Sequence, residues 1–211
     1  MGRKQVWDQD EVLTSAMRLF RRRGYLGASL RDLEEATGMH PGSLYRAFHS
    51  KEGLFNAALD AYNERVVEGR VRVHLRDAED PVAGIRSFFT SAFDAGTGPG
   101  PDPGCLLTNT AVESFTVSQA TPGVRRGLET IESGFADALT RARARRLVSA
   151  ELDVKAAATQ LLALYQGLLV LVRSGADTAT LHTVTDGAMV IIGARTTKTT
   201  TAEQPNEEEQ R

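Results

Sequence analysis

The chain has 211 residues, a formal net charge of −2 and 41% hydrophobic residues, which is ample for a buried core and fits one large domain or two small ones. The near-neutral total excludes binding to nucleic acid through bulk positive charge alone, and the single cysteine excludes an internal disulfide. The N-terminus is polar with no apolar run behind it, and the most apolar stretch, 161–172, falls short of about 20 residues, so a soluble cytoplasmic protein without a membrane span is expected.

Residues 1–7 read as a loose arm carrying Arg3 and Lys4. A first helix is expected over 10–23, with Val12, Leu13, Ala16, Met17, Leu19 and Phe20 on its apolar face. The stretch from Ser29 to Lys51, SLRDLEEATGMHPGSLYRAFHSK, reads as two short helices, a tight turn between them, and the start of another helix. Ser29 suits an N-cap, with Asp32 where a capping-box partner belongs. Leu30, Leu33 and Ala36 fall on one side, and Gly38 is placed to end the helix in a left-handed conformation. Met39 can plug the core. Pro41 suits the first position of the next helix, and Leu44 and Phe48 share its buried face. Gly42, Ser43, Tyr45 and Arg46 are left pointing away from the core. This is the layout of a helix-turn-helix reader, whose second helix enters the major groove. Arg46 can reach guanine or phosphate, Ser43 a base edge or phosphate, and Tyr45 a phosphate oxygen. A helical hairpin in any all-α protein has the same local pattern.

Ser50 then caps a long helix over 51–73, shared between an N-terminal head and the remaining body. A helix over 81–95 carries Ile85, Phe88, Phe89 and Phe93. The segment 96–104, GTGPGPDPG, is punctuated at nearly every position and cannot be regular. Helices come next over 105–119, over 124–146 after a break at Thr121-Pro122-Gly123, over 155–173 and over 178–194. The polar tail 196–211 is expected to be disordered. No strand or internal repeat is read. Charge is unevenly spread: residues 1–51 hold nine Lys/Arg against six Asp/Glu, a net of +3, leaving −5 for the rest. A basic head on an acidic body suits a domain that meets phosphate. The Arg21–Arg23 cluster is equally readable as a solvated helix end.

The run RLFRRRGYLGASLRDLEEATGMHPGSLYRAFHSKEGLF resembles the N-terminal domain of the TetR/AcrR family of transcriptional regulators. The likeness rests on Leu19-Phe20, Gly24-Tyr25, Ser29, Ala36, Gly38, Gly42-Ser43-Leu44-Tyr45, Phe48, Ser50-Lys51-Glu52 and Leu54, in one ungapped run over about 10–58. Ser29 stands where the family often has Thr, and His40-Pro41 replaces a small polar and basic pair at the base-reading edge. The resemblance implies an all-α protein: a three-helix helix-turn-helix domain over 1–54 joined to a helical effector-binding and dimerisation domain over 55–195. It implies that Ser29, Tyr45 and Lys51 touch phosphates, and that His40, Pro41, Gly42, Ser43 and Arg46 lie near bases of a palindromic double-stranded operator. The implied function is a repressor released by a small-molecule effector, with no cofactor.

The helix over 155–173 is apolar round much of its circumference, so it must be buried on more than one face. With the helix over 178–194 it is expected to form a homodimer interface, which matches two-fold protein symmetry to a palindrome. The alternative is a core helix of a monomer. Candidate effector contacts are Phe88, Phe89, Phe93, Cys105, Thr108, Asn109, Phe115, Phe135 and Tyr165, an apolar set with a few polar groups; aromatic residues at helical spacing also make plain core. Asn109 and Glu113, four apart, read either as an orienting polar contact or as a solvated pair. Cys105 follows Gly104 at a helix start, where a thiolate is favoured, so sensing of oxidants or electrophiles is an alternative to packing. An enzyme is disfavoured: one Cys and four His (His40, His49, His74, His182) carry no HExxH or CxxC spacing, and 96–104 lacks the Lys-Ser/Thr of a phosphate loop. A helical adaptor with a relic head is the remaining rival.

Overall fold

The computed structural model describes residues 7–94, 104–113 and 121–194. Among these all regular structure is helical. Helix α1 is Gln9–Gly27, α2 Leu30–Thr37 and α3 Pro41–Phe48. The next helix, α4, begins as Lys51–Tyr62 and continues through Asn63–Val67, Glu68–Arg70 and Val71–Arg76. Then come α5 Pro81–Thr90, α6 Leu106–Glu113, α7 Thr121–Ala144, α8 Val154–Ser174 and α9 Thr178–Ile191.

Side-chain acceptors begin most of these helices, satisfying N–H groups that have no intrahelical partner. Asp8, Ser29, Ser50, Asp80, Asp153 and Asp177 each accept from a backbone N–H in the first turn of the helix they precede. The capping box at Ser29 is complete. Asp32 N–H donates to Ser29 Oγ at 3.1 Å, while the Ser29 N–H and hydroxyl both donate to Asp32 Oδ2, at 2.9 and 2.7 Å.

Two expectations about helix limits are corrected. Thr121-Pro122-Gly123 does not break the chain but forms the first turn of α7, where proline's missing N–H costs nothing. Helix α4 runs to Arg76 rather than 73, and it is not uniform. Asn63–Val67 and Val71–Arg76 are π-helical, with Glu68 N–H on Asn63 O and Asp77 N–H on Arg72 O. Wide turns of this kind mark irregular, often functional, points in a helix. Elsewhere α1 leaves helical geometry at Gly24, next to the expected end at 23. Trp7 belongs to the fold rather than to an arm, its ring 6.0 Å from Phe48. Ala36 is exposed, unlike Leu33. The arm 1–6, most of the 96–104 segment, residues 114–120 and the tail 196–211 lie outside the described residues.

Buried side chains form one continuous core. Near the N-terminus Phe20 packs edge-on to Phe55 at 4.8 Å, with Tyr25 5.1 Å from the same ring. Further along, Phe88, Phe89, Phe135 and Tyr165 form an aromatic cluster joining α5, α7 and α8. Helix α8, 21 residues, is long and apolar enough to cross a membrane by length and composition, longer than the apolar stretch read from the sequence. One side of it, Ala157, Ala158, Leu161, Tyr165, Leu168 and Leu169, is buried in the core.

Candidate nucleic-acid interface and interior cavity

Helix α3 has two faces. Leu44 and Phe48 are 1% and 8% exposed and anchor it to the core. Pro41, Gly42, Tyr45 and Arg46 are exposed, Ser43 is half-buried, and His40 precedes them as an exposed N-cap that makes no side-chain cap bond. Left-handed Gly38, its N–H on Glu34 O, turns the chain from α2 towards α3. After α3, His49 (φ 65°) reverses direction into Ser50 and α4. The backbone of Gly53 lies so close to α3 that a Cβ there would sit 2.0 Å from Phe48 O. This contact fixes the end of α3 to the first turn of α4.

Of the sequence-expected phosphate contacts, Tyr45 stands on the surface at 47% exposure. Ser29 is exposed, but its hydroxyl proton is held by Asp32. The Lys51 ammonium lies 4.3 Å above the Tyr25 ring. Its pKa is lowered, by partial burial more than the nearby Glu113 carboxylate raises it. Asp32 titrates at about 2, held down first by the Ser29 side chain and backbone donors and then by Arg23.

Asn109 and Glu113 are neither solvated nor idle. Both reach from α6 to α1: Asn109 Nδ2 donates to Arg21 O at 3.1 Å, and Glu113 Oε2 accepts the Tyr25 N–H at 2.8 Å. Arg21 Nε returns a bond to Gly104 O at 2.8 Å. The Glu113 bond needs the unusual backbone of Gly24, at φ 70° and ψ 179°. Residues of the C-terminal half therefore hold the joint just before α2.

A cavity of about 180 Å³ lies between α1, α4, α5, α7, α8 and the residues Gly104 and Cys105 that lead into α6. Of the expected contacts, Phe88, Cys105 and Tyr165 line it. Phe89 and Phe135 do not; both are fully buried core rings. Phe93 packs on His182 at 5.1 Å, Thr108 donates to Gln166 Oε1 at 2.7 Å, and Asn109 is spent on Arg21. Phe115 lies outside the described residues. The lining also includes Arg21, Tyr62, Arg70 and Ser91, which reasoning from the sequence missed. Arginine on the inner side of a helix beside Val66, Val67 and Val71 was the available signal.

Cys105 is 8% exposed and precedes α6, and the Tyr62 hydroxyl donates to its Sγ at 3.4 Å. Burial, together with Cys105, pushes the Tyr62 phenol well up. Among the described residues no group of three or more His, Cys, Asp or Glu is gathered as a metal site.

An all-α chain with a helix-turn-helix whose second helix offers an exposed polar face, tied to a helical body with an interior cavity, defines a DNA-binding regulator. Comparison with known proteins makes the class specific. Residues 12–58 match the family of bacterial regulatory proteins, tetR family, and 81–188 match the tetracyclin repressor-like C-terminal domain. The HTH-type transcriptional repressor ComR of Escherichia coli is 30% identical, over 83% of this chain and 84% of that one. The HTH-type transcriptional repressor AcnR of Corynebacterium glutamicum is 39% identical over 85 residues, 38% of this chain and 45% of AcnR. Among solved structures, a cysteine mutant of the TetR-family regulator CifR, complexed with 26-base-pair operator DNA, superposes with a TM-score of 0.77. It is 30% identical, covering 90% of this chain and 98% of CifR. Reduced NemR of E. coli shares the fold at a TM-score of 0.79 and 21% identity, covering 88% and 97%. The chain belongs to the TetR family of transcriptional regulators, a family of DNA-binding proteins and not of enzymes.

Proposed function

We propose that the protein is a homodimeric repressor, released from a palindromic operator by a small molecule held in the interior cavity. The observation that carries this reading is the geometry of α4. Its first turn is locked to the reading helix through Gly53, and its far half lines the cavity through Val66, Val67 and Arg70. The DNA-binding unit is residues 1–54, the effector and dimerisation unit 55–195, and 196–211 a tail. On DNA, His40, Pro41, Gly42, Ser43 and Arg46 face base edges, while Ser29, Tyr45 and Lys51 meet phosphates. Ser29 can do so as a donor only by turning from Asp32, and Lys51 by leaving the Tyr25 ring.

Dimerisation through α8 and α9 is supported by what their outer faces carry. Ala163, Gly167 and Val170 are exposed along α8 and Thr183 and Val190 along α9, with Gly187 half-buried between the latter two. Small residues at this spacing let helices of a second copy approach closely, and only a third of the most apolar window of α8 is buried within one chain. Two copies place two α3 helices in successive major grooves. The 26-base-pair operator of CifR spans about two and a half turns of B-DNA, room for such a pair. The protein works in the cytoplasm, where its DNA is.

An effector acts through its difference in affinity between the DNA-competent and released arrangements. The two α1–α6 bonds, with the Arg21 bond to Gly104 just before α6, are a second route, besides α4, by which a change at the cavity reaches the reading helices. A second reading, oxidant or electrophile sensing at Cys105, is supported by the placement of its Sγ against the cavity and the Tyr62 hydroxyl. Alkylation of Cys105 that releases operator would favour it.

The test is selection of bound sequences from random duplex DNA, with the affinity of the winner then measured against salt. An enriched palindrome and a steep salt slope are expected. Weak binding with no enriched sequence would sink the reading.

A further inference from the structure

The cavity has a one-sided charge. Among the described residues its lining includes two guanidinium groups, Arg21 and Arg70, and not one carboxylate. The rest is largely apolar, with Val66, Ile131, Leu169 and Val172 among the walls. Arg70 makes no ion pair with any described residue. Its Nη atoms donate to Phe88 O, Ser91 O and Ser91 Oγ at 3.0, 3.3 and 2.8 Å. Its Nε–H is buried and has no partner among the described residues.

These neutral acceptors solvate the cation only in part. Phe88 O and Ser91 O end helix α5, whose C-terminus offers about half a negative charge. The Phe88 and Tyr165 rings, 5.2 and 5.9 Å from the guanidinium carbon, add a modest cation–π attraction. A guanidinium has five donors, of which three are used. The same uncompensated field lowers the pKa of His74, second to that group's own burial. A cationic occupant would meet the like charge of Arg70 in a partly dry space. A neutral one would leave the half-buried charge as it is.

We infer that the cavity is built for an amphipathic monoanion, a carboxylate on a compact apolar body, with the carboxylate on Arg70 and the body against the aliphatic wall. The inference rests on the effector reading above and gives that effector its chemical class. A carboxylate gains most where a paired, charge-assisted hydrogen bond reaches a half-buried charge that has only neutral acceptors and one unpartnered donor. Arg70 stands on α4 and ties it to the end of α5, so an anion that draws its Nη donors also loosens that tie.

The experiment uses two matched sets on the full-length protein: benzoate, benzamide and benzylammonium, then octanoate, octanamide and octylammonium. Binding is read by thermal shift and calorimetry, and operator release by fluorescence anisotropy. The carboxylate of at least one set should bind about tenfold or more tighter than its amide, the ammonium weakest. Arg70→Met should erase that preference, and Arg70→Lys should retain part of it. If Arg70→Met does not fold, Arg70→Gln takes its place, removing the charge while keeping hydrogen-bond donors. An amide or ammonium binding as tightly as its carboxylate, or a carboxylate preference that survives loss of the Arg70 charge, overturns the inference. Neutral ligands that bind and release operator would leave the effector reading standing and remove only the charge assignment. If none of the six binds, the inference falls.

Discussion

Replacing Gly24 by alanine tests the joint between α1 and α6. Gly24 adopts φ 70° and ψ 179°, a region essentially restricted to glycine, where any other residue costs about 1–3 kcal/mol. An added Cβ would also sit 1.9 Å from Glu113 Oε1. The carboxylate is the end of a flexible chain and can move, but moving breaks its bond to the Tyr25 N–H. A hydrogen bond to a charged group is worth about 1.5–3 kcal/mol, and partial exposure here reduces that to about 1. Gly24→Ala should therefore cost about 3 kcal/mol, and Glu113→Ala about 1. In the Glu113→Ala background the clash and the bond are both gone, so Gly24→Ala should cost only the backbone strain, about 2 kcal/mol. The assay is urea unfolding at fixed protomer concentration, because a dimer's stability depends on it. An equal cost of Gly24→Ala in both backgrounds would refute the coupling between Gly24 and Glu113. A cost below about 0.5 kcal/mol would refute the strain as well.

The same geometry sets other outcomes. Lys51→Ala should weaken binding to all duplexes alike and flatten the slope of log affinity against log salt by about 0.9; an unchanged slope would remove Lys51 from the phosphate contacts. Arg46→Ala should cost about 1–3 kcal/mol on the selected operator and relax preference at one base position, visible when the selection is repeated. Asp32 has a folded pKa of about 2 against an ordinary 3.8, so its contribution is complete above the ordinary value and is lost as pH falls towards 2. Asp32→Asn should lower Tm at neutral pH, and the gap to wild type should close across that acid window. A gap that stays constant would mean the capping box gains nothing from its charge. Val170→Glu combined with Val190→Glu should convert the dimer to monomers in sedimentation and reduce operator affinity; a persistent dimer would place the interface elsewhere.

Local signals carried the N-terminal half into the fold. Ser29, Gly38, Pro41 and Ser50 each fix a helix end through their own chemistry, and Leu44 with Phe48 fixes which side of α3 is buried. Those signals are local in sequence, so they can be read in one pass along the chain. The cavity is different. Phe89 and Phe135 have the same residue type and helical setting as Phe88, yet they fill core while Phe88 lines a void. That distinction depends on how α5, α7 and α8 cross, which no single helix encodes. Arg21 and Arg70 were hidden for the same reason, since a charged residue on a helix is ordinarily solvent-facing. Glu113 and Asn109 were visible as a pair, but their targets lie 88 residues away in sequence. Pro122-Gly123 misled because the same dipeptide that ends a helix also fits within its first turn.

The two π-helical stretches of α4 give that helix a kind of slack. Each i to i+5 turn holds one residue more than an α turn does, so Asn63–Val67 and Val71–Arg76 each store a spare residue. Returning one stretch to α geometry, or widening its neighbour in exchange, shifts the phase of the downstream helix by one residue, about 100° of rotation and 1.5 Å of rise. A straight α-helix would pass a movement at Arg70 on to Lys51 unchanged, whereas one with spare residues can slip. In evolutionary terms, single-residue deletions within 63–67 should survive where the same deletion within 54–61 would not.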